Sequence, residues 1–341
     1  MRALVLTTNY RNVDNWLGLF QRINETDGWC GLASLPWTGD PSHADLDAVP
    51  LPLHRRQPID RLSPDGISED ALGRFLDEIC TPDIDVLFLC DMQAYPSNAV
   101  HRLLRARASR PMVIGLQHGL FQSWWVYNRN FCADHLLCFG ERHRRELLPA
   151  LRESTVAVGL PKLDRLARVK TADGGYILYL AQKIPESSLL LPLLRGIEAA
   201  TGLPVVVRNH PQYPDWVDHK PSLPLPSVDG RELRSLTYED QLANADWVMT
   251  PHSTGGLEAL YMRKPVVLVP NAGLTAWASH PGIAWNFSVE EALAACRRAD
   301  TEHSQIAGFL DDAIGGLRFD HTERALNAVQ AILATGLRPP L

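Results

Sequence analysis

Two stretches decide how this chain folds: Pro204–Pro211, PVVVRNHP, and Asp246–Pro270, DWVMTPHSTGGLEALYMRKPVVLVP. The first reads as a short strand, Val205–Arg208, running into Asn209-His210-Pro211. Proline has no N–H to give a sheet ladder, so Pro211 ends the strand and fixes the turn. The second reads as strand, tight loop, helix, strand. Trp247–Thr250 is the first strand, Thr250–Gly256 the loop and Leu257–Arg263 a short helix. Lys264-Pro265 stops that helix, and Val266–Val269 is the next buried strand. A Ser-Thr-Gly-Gly loop that opens a helix presents hydroxyls and unpaired backbone N–H groups to an anion.

The same alternation extends outward in both directions. Strand-like runs occur at Ala3–Leu6, Val86–Cys90, Met112–Leu116, His135–Phe139, Val156–Val158 and Ile177–Leu180. Helix-like segments lie between them, at Trp16–Ile23, Glu69–Cys80, Asn98–Ala108, Glu141–Leu151, Ser187–Ala200, Tyr238–Ala243 and Glu290–Arg298. Strands alternating with helices predict an α/β protein with parallel sheets covered on both faces. The strands are too many for one small sheet, so two Rossmann-like, doubly wound domains are expected. Their boundaries are read as 1–165 and 172–320, on the punctuation of Gly159-Leu160-Pro161 and Gly174-Gly175. The amphipathic helix Thr322–Leu333, within 322–341, is expected to pack back on the first domain. Residues 32–66 and 211–237, rich in proline, read as irregular surface segments.

The 341 residues suffice for two cores, with 45% hydrophobic and 21% charged residues. A net charge of −6 argues against a protein that binds nucleic acid through bulk electrostatics. The six cysteines form no CxxC pair, which fits a reducing cytoplasm. Cys132, His135 and Cys138 do not form a metal site on this reading, because a three-residue step along a strand alternates faces. The opening MRALVLTTNY reads as a core strand rather than a signal peptide, and no apolar run has the length of a membrane span. Any membrane contact is therefore expected to be peripheral.

Candidate site residues follow from the rule that ligands in doubly wound sheets sit outside the carboxyl ends of the strands. In the first domain these are Asp91, after DVLFLC, and Gln117-His118-Gly119, after Met112–Leu116. Either His118 or Asp91 can serve as general base toward a hydroxyl acceptor, with Gln117 and Gly119 on the acceptor side. Each also has a structural alternative, Asp91 as a cap and His118 as a loop histidine. In the second domain His210 can stabilise charge on a departing phosphate, with Pro211 fixing its turn. Ser253, Thr254 and the Gly255 and Gly256 amides can hold the same phosphate, or Ser253 can cap the helix. Glu258 can accept ribose hydroxyls or serve the helix dipole. Gln182 and Lys183 follow the strand Ile177–Leu180 and face the same edge. The chain contains no GxGxxG, GxxxxGK[ST] or GxSxG motif.

Together these residues resemble bacterial glycosyltransferases of the GT-B architecture. His210-Pro211 and Ser253-Thr254 are similar to the HP and SS/ST motifs of sialyltransferases, which use CMP-activated sugars. Gln117-His118-Gly119 resembles the His-Gly turn of the CDP-glycerol glycerophosphotransferases and of related capsule and Kdo transferases. The turn departs from the acidic turn of the sialyltransferases. The resemblance implies two Rossmann-like domains with the active site in the cleft between them, His118 as base, and His210, Ser253 and Thr254 as donor-phosphate ligands. It implies a nucleotide-activated donor, a glycan or lipid-linked glycan acceptor and no metal, with work at the inner face of the membrane in polysaccharide, capsule or lipopolysaccharide assembly. Without the basic membrane-binding extension of teichoic-acid polymerases, a single-addition enzyme is expected. Two other functions fit the same residues. One is a UDP-sugar transferase or a UDP-GlcNAc 2-epimerase-like enzyme. The other is a nucleotide-binding protein without catalysis.

Overall fold

The computed structural model describes residues 1–8, 10–36, 49–59, 67–90, 96–119, 131–182, 188–210, 217–228, 230–270 and 272–336. The chain divides into two compact units, Met1–Asp164 with Asp312–Leu341, and Arg165–Asp311.

The first unit is built on a seven-stranded sheet of order β3-β2-β1-β4-β5-β6-β7. Its strands are β1 Arg2–Thr7, β2 Trp29–Ser34, β3 Leu53–Arg56, β4 Val86–Leu89, β5 Met112–Leu116, β6 His135–Cys138 and β7 Thr155–Ala157, all parallel. The central runs VLFL and MVIGL are buried at every residue, as strands covered on both faces must be. Helix Glu69–Ile79 shows how local signals and packing agree. Ser68 Oγ accepts from the Ala71 N–H at 3.2 Å, Glu69 and Asp70 sit in the first turn, and Leu72, Phe75, Leu76 and Ile79 face the core. Beside the sheet, Arg110 grips Asp134 with two hydrogen bonds of 2.5 and 2.7 Å. Burial pushes the Asp134 carboxyl up. The hydrogen bonds from Arg110 and the Val113 N–H, with His101 Nε2 3.6 Å away, overcome that and hold it well below the usual range.

Residues 159–164, at the expected punctuation of Gly159-Leu160-Pro161, belong to this unit. Lys162–Leu166 is helical, and Lys162 pairs with Asp14 at 3.0 Å. Asp164 caps the last helix, His321–Thr335, by accepting from the His321 and Thr322 N–H groups at 3.2 and 2.7 Å. That helix packs against Leu17–Glu25, with Arg22 bonded to Glu323 at 2.6 Å. Residues 32–34, read as irregular, belong to β2, which pairs with β1. Edge strand β3 lies inside the same stretch.

The second unit carries a four-stranded parallel sheet of order β13-β12-β8-β9. Here β8 is Ile177–Leu180, β9 Val205–Arg208, β12 Trp247–Thr250 and β13 Val266–Leu268. A small antiparallel pair, β10 Ser227–Val228 and β11 Arg231–Glu232, lies between β9 and β12 in sequence, within the stretch read as irregular. Helix Leu190–Thr201 ends on Gly202 in the left-handed conformation (φ +70°), and Glu198 ties its last turn to the Val205 N–H and Ser222 Oγ, both at 2.8 Å. Helix Val289–Thr301 starts at Ser288, whose Oγ accepts from the Glu291 N–H at 3.0 Å.

Each unit encloses a histidine that burial makes hard to protonate, with Arg142 adding to the effect at His143. His143 in the first and His280 in the second are each pushed down to about 3. An unfolded histidine titrates near 6.5, so between those values the unfolded chain binds more protons and the fold loses stability as pH falls. Each unit of depression corresponds to about 1.4 kcal/mol. The melting temperature should therefore drop steadily from pH 6.5 toward pH 4. A flat profile across that range would show that these imidazoles are not held neutral in the folded chain.

Candidate functional site

The carboxyl edge of the second unit's sheet gathers most of the residues singled out from sequence. Register places Leu180 beside Arg208 and Thr250 beside Leu268, so the strands end in one row. Thr250 fastens two of those ends together. It is fully buried, its Oγ1 donates to the Leu180 carbonyl at 3.1 Å, and the same oxygen accepts from the Ser253 N–H at 3.1 Å. This hydroxyl sets the path of the loop, a role that the sequence reading missed. A threonine ending an otherwise apolar strand is the signal that marks it.

The helix that follows runs Thr254–Tyr261, starting earlier than the expected Leu257. Ser253 is its N-cap, and its Oγ accepts from the Gly255 N–H at 3.1 Å. The Gly256 N–H donates to the Ser253 carbonyl at 2.9 Å. Both glycine amides read as phosphate donors are thus engaged within the helix start. The glycines are demanded by packing. A Cβ on Gly255 would overlap the Tyr238 hydroxyl and lie 2.7 Å from Leu180 Cδ1; one on Gly256 would lie 2.8 Å from the Trp277 ring. Ser253 and Thr254 themselves are only half-buried. His252 is buried, so it belongs to the inside of the loop.

Past β9, Asn209 forms a two-point clamp with Val217, donating to its carbonyl at 3.1 Å and accepting from its N–H at 2.9 Å. The clamp fixes the backbone that carries His210, which is half-buried. Gln182, also half-buried, follows β8, and its Nε2 donates to the Ala181 carbonyl at 3.0 Å. Pro211 and Lys183 lie outside the described residues. Glu258 is 3% exposed, and the Tyr238 hydroxyl hydrogen-bonds its carboxylate. So enclosed, the carboxylate lies in the site's wall, against Tyr238. Burial, together with the neighbouring Glu258 charge and hydrogen bond, pushes the Tyr238 phenol well above its usual range and keeps it a donor.

In the first unit the turn after β5 is built from its own side chains. Gln117 is fully buried; its Nε2 donates to the Gly119 carbonyl at 2.7 Å and its Oε1 accepts from the Phe139 N–H at 2.8 Å. Trp16 Nε1 donates to the Gln117 carbonyl and Asn15 Nδ2 to the His118 carbonyl, both at 2.8 Å. Gln117 therefore shapes the turn instead of facing an acceptor, and it leaves His118 half-buried at the strand end. Asp91 lies outside the described residues. Among the described residues no group of His, Cys, Asp or Glu side chains gathers as metal ligands would, and no helix is long and apolar enough to cross a membrane.

No protein-family model and no curated protein matches this chain. Solved structures do. The UDP-GlcNAc 2-epimerase of Methanocaldococcus jannaschii aligns with a TM-score of 0.68 at 11% identity, over 97% of this chain and 100% of its own. The UDP-GlcNAc 2-epimerase of Neisseria meningitidis, bound to UDP-GlcNAc, aligns at 0.64 and 10%, over 97% and 100%. The wall teichoic acid polymerase TagF, soaked with CDPG, aligns at 0.61 and 11%, over 98% and 89%. With the parallel sheets described above, these likenesses define the class: the chain has the α/β GT-B fold. At these identities the likeness concerns the fold.

Proposed function

We propose that the protein is a glycosyltransferase-like enzyme whose nucleotide-activated donor binds at the carboxyl edge of the second unit's sheet. The observation that carries this reading is the delivery of His210 and the Ser253-capped helix start to one edge by β9 and β12. A helix N-terminus with the Ser253 and Thr254 hydroxyls beside it suits a phosphate, and a histidine donor suits the charge that develops as the phosphate leaves. The first reading of the donor is a cytidine nucleotide carrying a Kdo-like or sialic-acid-like sugar or glycerol phosphate. The acceptor is a glycan of surface-polysaccharide assembly, and His118 is the base in the first unit. On this reading histidine and helix dipole supply the charge stabilisation, with no need for a metal.

A second reading is a UDP-sugar enzyme, a transferase or a 2-epimerase. It is favoured by the full-length likeness to UDP-GlcNAc 2-epimerases. A thermal-shift panel of CMP, CDP, UMP, UDP, GDP and ADP separates the two. A ligand at 100 times its Kd stabilises the fold by about 2.7 kcal/mol. Selective stabilisation by CMP or CDP is the expected result, and selectivity for UDP would move the assignment to the second reading. No shift with any nucleotide would overturn the site.

A further inference from the structure

Arg208 is the last residue of β9, and neither reading of the donor uses it. Its Nη1 donates to Gln241 Oε1 at 2.8 Å, and its guanidinium lies over the Tyr238 ring, 5.0 Å from the centroid. Both supports are themselves fixed. Gln241 is buried, and its Nε2 donates to the Leu233 carbonyl at 2.9 Å. Tyr238 opens the helix Tyr238–Asn244, which Thr237 caps by accepting from the Asp240 N–H at 3.1 Å. The Tyr238 hydroxyl is enclosed against Gly255 and bonded to the buried Glu258. The aromatic platform under the guanidinium is thereby tied to the first turns of the Thr254–Tyr261 helix.

This arrangement orders a half-buried arginine beside the start of that helix. A guanidinium has five donors in a rigid fork, and the bond to Gln241 uses one. Sequence position adds a second argument. His210 follows two residues on, carried by the backbone that Asn209 clamps to Val217. A pre-ordered cation next to a helix N-terminus, with a histidine two residues along the chain, is suited to a dianionic or diphosphate group.

We propose that Arg208 is the cation that meets the donor's phosphates, with Tyr238 and Gln241 as positioning residues and Glu258 anchoring Tyr238 from behind. The inference rests on the donor site proposed above. Its test uses the full chain, with CDP or UDP, whichever the wild type binds, and the matching nucleoside, cytidine or uridine. Arg208→Gln should weaken the diphosphate by 10- to 100-fold, on the scale of a lost charge-assisted bond, and leave the nucleoside within about twofold. Arg208→Lys keeps the charge but loses the fork and the stacking, and should bind the diphosphate more weakly than the wild type and more tightly than Arg208→Gln. Tyr238→Phe keeps the ring, loses the bond to Glu258, and should weaken the diphosphate by about threefold to tenfold with the nucleoside again unaffected.

Equal loss for nucleoside and diphosphate, or diphosphate binding unchanged in Arg208→Gln, would overturn the role of Arg208 while leaving the donor site standing. A wild type that binds none of these ligands would overturn the donor site, and the inference with it. If Arg208→Gln does not fold, the Lys variant decides: a loss as large for cytidine or uridine as for the diphosphate sinks the proposal.

Discussion

Gly159→Ala should cost the first unit about 4 kcal/mol, enough to leave much of it unfolded at modest temperature. Two effects add. Gly159 has φ +93°, a conformation that costs an L side chain about 1–3 kcal/mol. A Cβ there would also overlap the His321 imidazole, lying 2.7 Å from Cγ and 2.8 Å from Cε1, and forced overpacking costs a further 1–3 kcal/mol or so. The imidazole has little room to yield. It is fully buried and sits at the start of the helix whose first amides Asp164 caps. Moving it pulls that cap apart. The measurement is urea unfolding against the wild type, with Gly308→Ala as control. Gly308 is exposed in a helix with nothing near its missing Cβ, so alanine there should be neutral or stabilising by up to about 1 kcal/mol. A loss below about 1 kcal/mol for Gly159→Ala, on the scale of an ordinary surface change, would show that the close approach of residues 159 and 321 is not maintained in solution.

Gly159 also shows where reading the sequence stopped. Gly-Leu-Pro looked like punctuation between domains, and the same glycine is the seat for a side chain 162 positions further on. Gly140 and Gly18 behave alike, against the Ala313 backbone and Thr322 Oγ1. Local pattern carries no trace of such contacts. Strands were legible where apolar runs were continuous, as in β4, β5, β8, β9 and β12. WCGLAS lacks β-branched residues and LHRR is a polar edge strand, so β2 and β3 were missed. Glu141–Leu151 was read as one helix, but Leu147 ends the first and Pro149 starts a second. Helix His303–Ile314 was not foreseen. In the site, the order of His210, Ser253 and Thr254 along the sheet edge was legible, because strand ends follow from strand positions. Tyr238 behind Glu258 and Trp277 beneath Gly256 were not, since helix periodicity does not say which aromatic packs on which turn.

His118→Ala should remove transfer while leaving nucleotide affinity within about twofold, and His210→Ala should do something different. The two histidines sit in separate units, one after β5 and one after β9. A base acts on the acceptor, so its loss spares donor binding and is felt in the chemical step. A donor at the leaving phosphate acts chiefly in the transition state, where one such group is worth about 10²–10³ in turnover, or roughly 3–4 kcal/mol. His210→Ala should therefore lower kcat by that factor with a smaller change in nucleotide affinity. The readout pairs nucleotide affinity with consumption of the donor that the panel selects, for wild type and both variants. Nucleotide affinity falling in step with activity in His118→Ala would place His118 in the donor site or the core. A change under about threefold in His210→Ala, small on the scale of a lost oxyanion donor, would remove it from the leaving phosphate. Tight nucleotide binding untouched by His118→Ala, with no turnover of any donor by the wild type, would mark a nucleotide-binding protein on an enzyme's fold. The contrast between binding and turnover thus decides whether two histidines at two strand ends work as base and phosphate donor, which neither residue's position could decide alone.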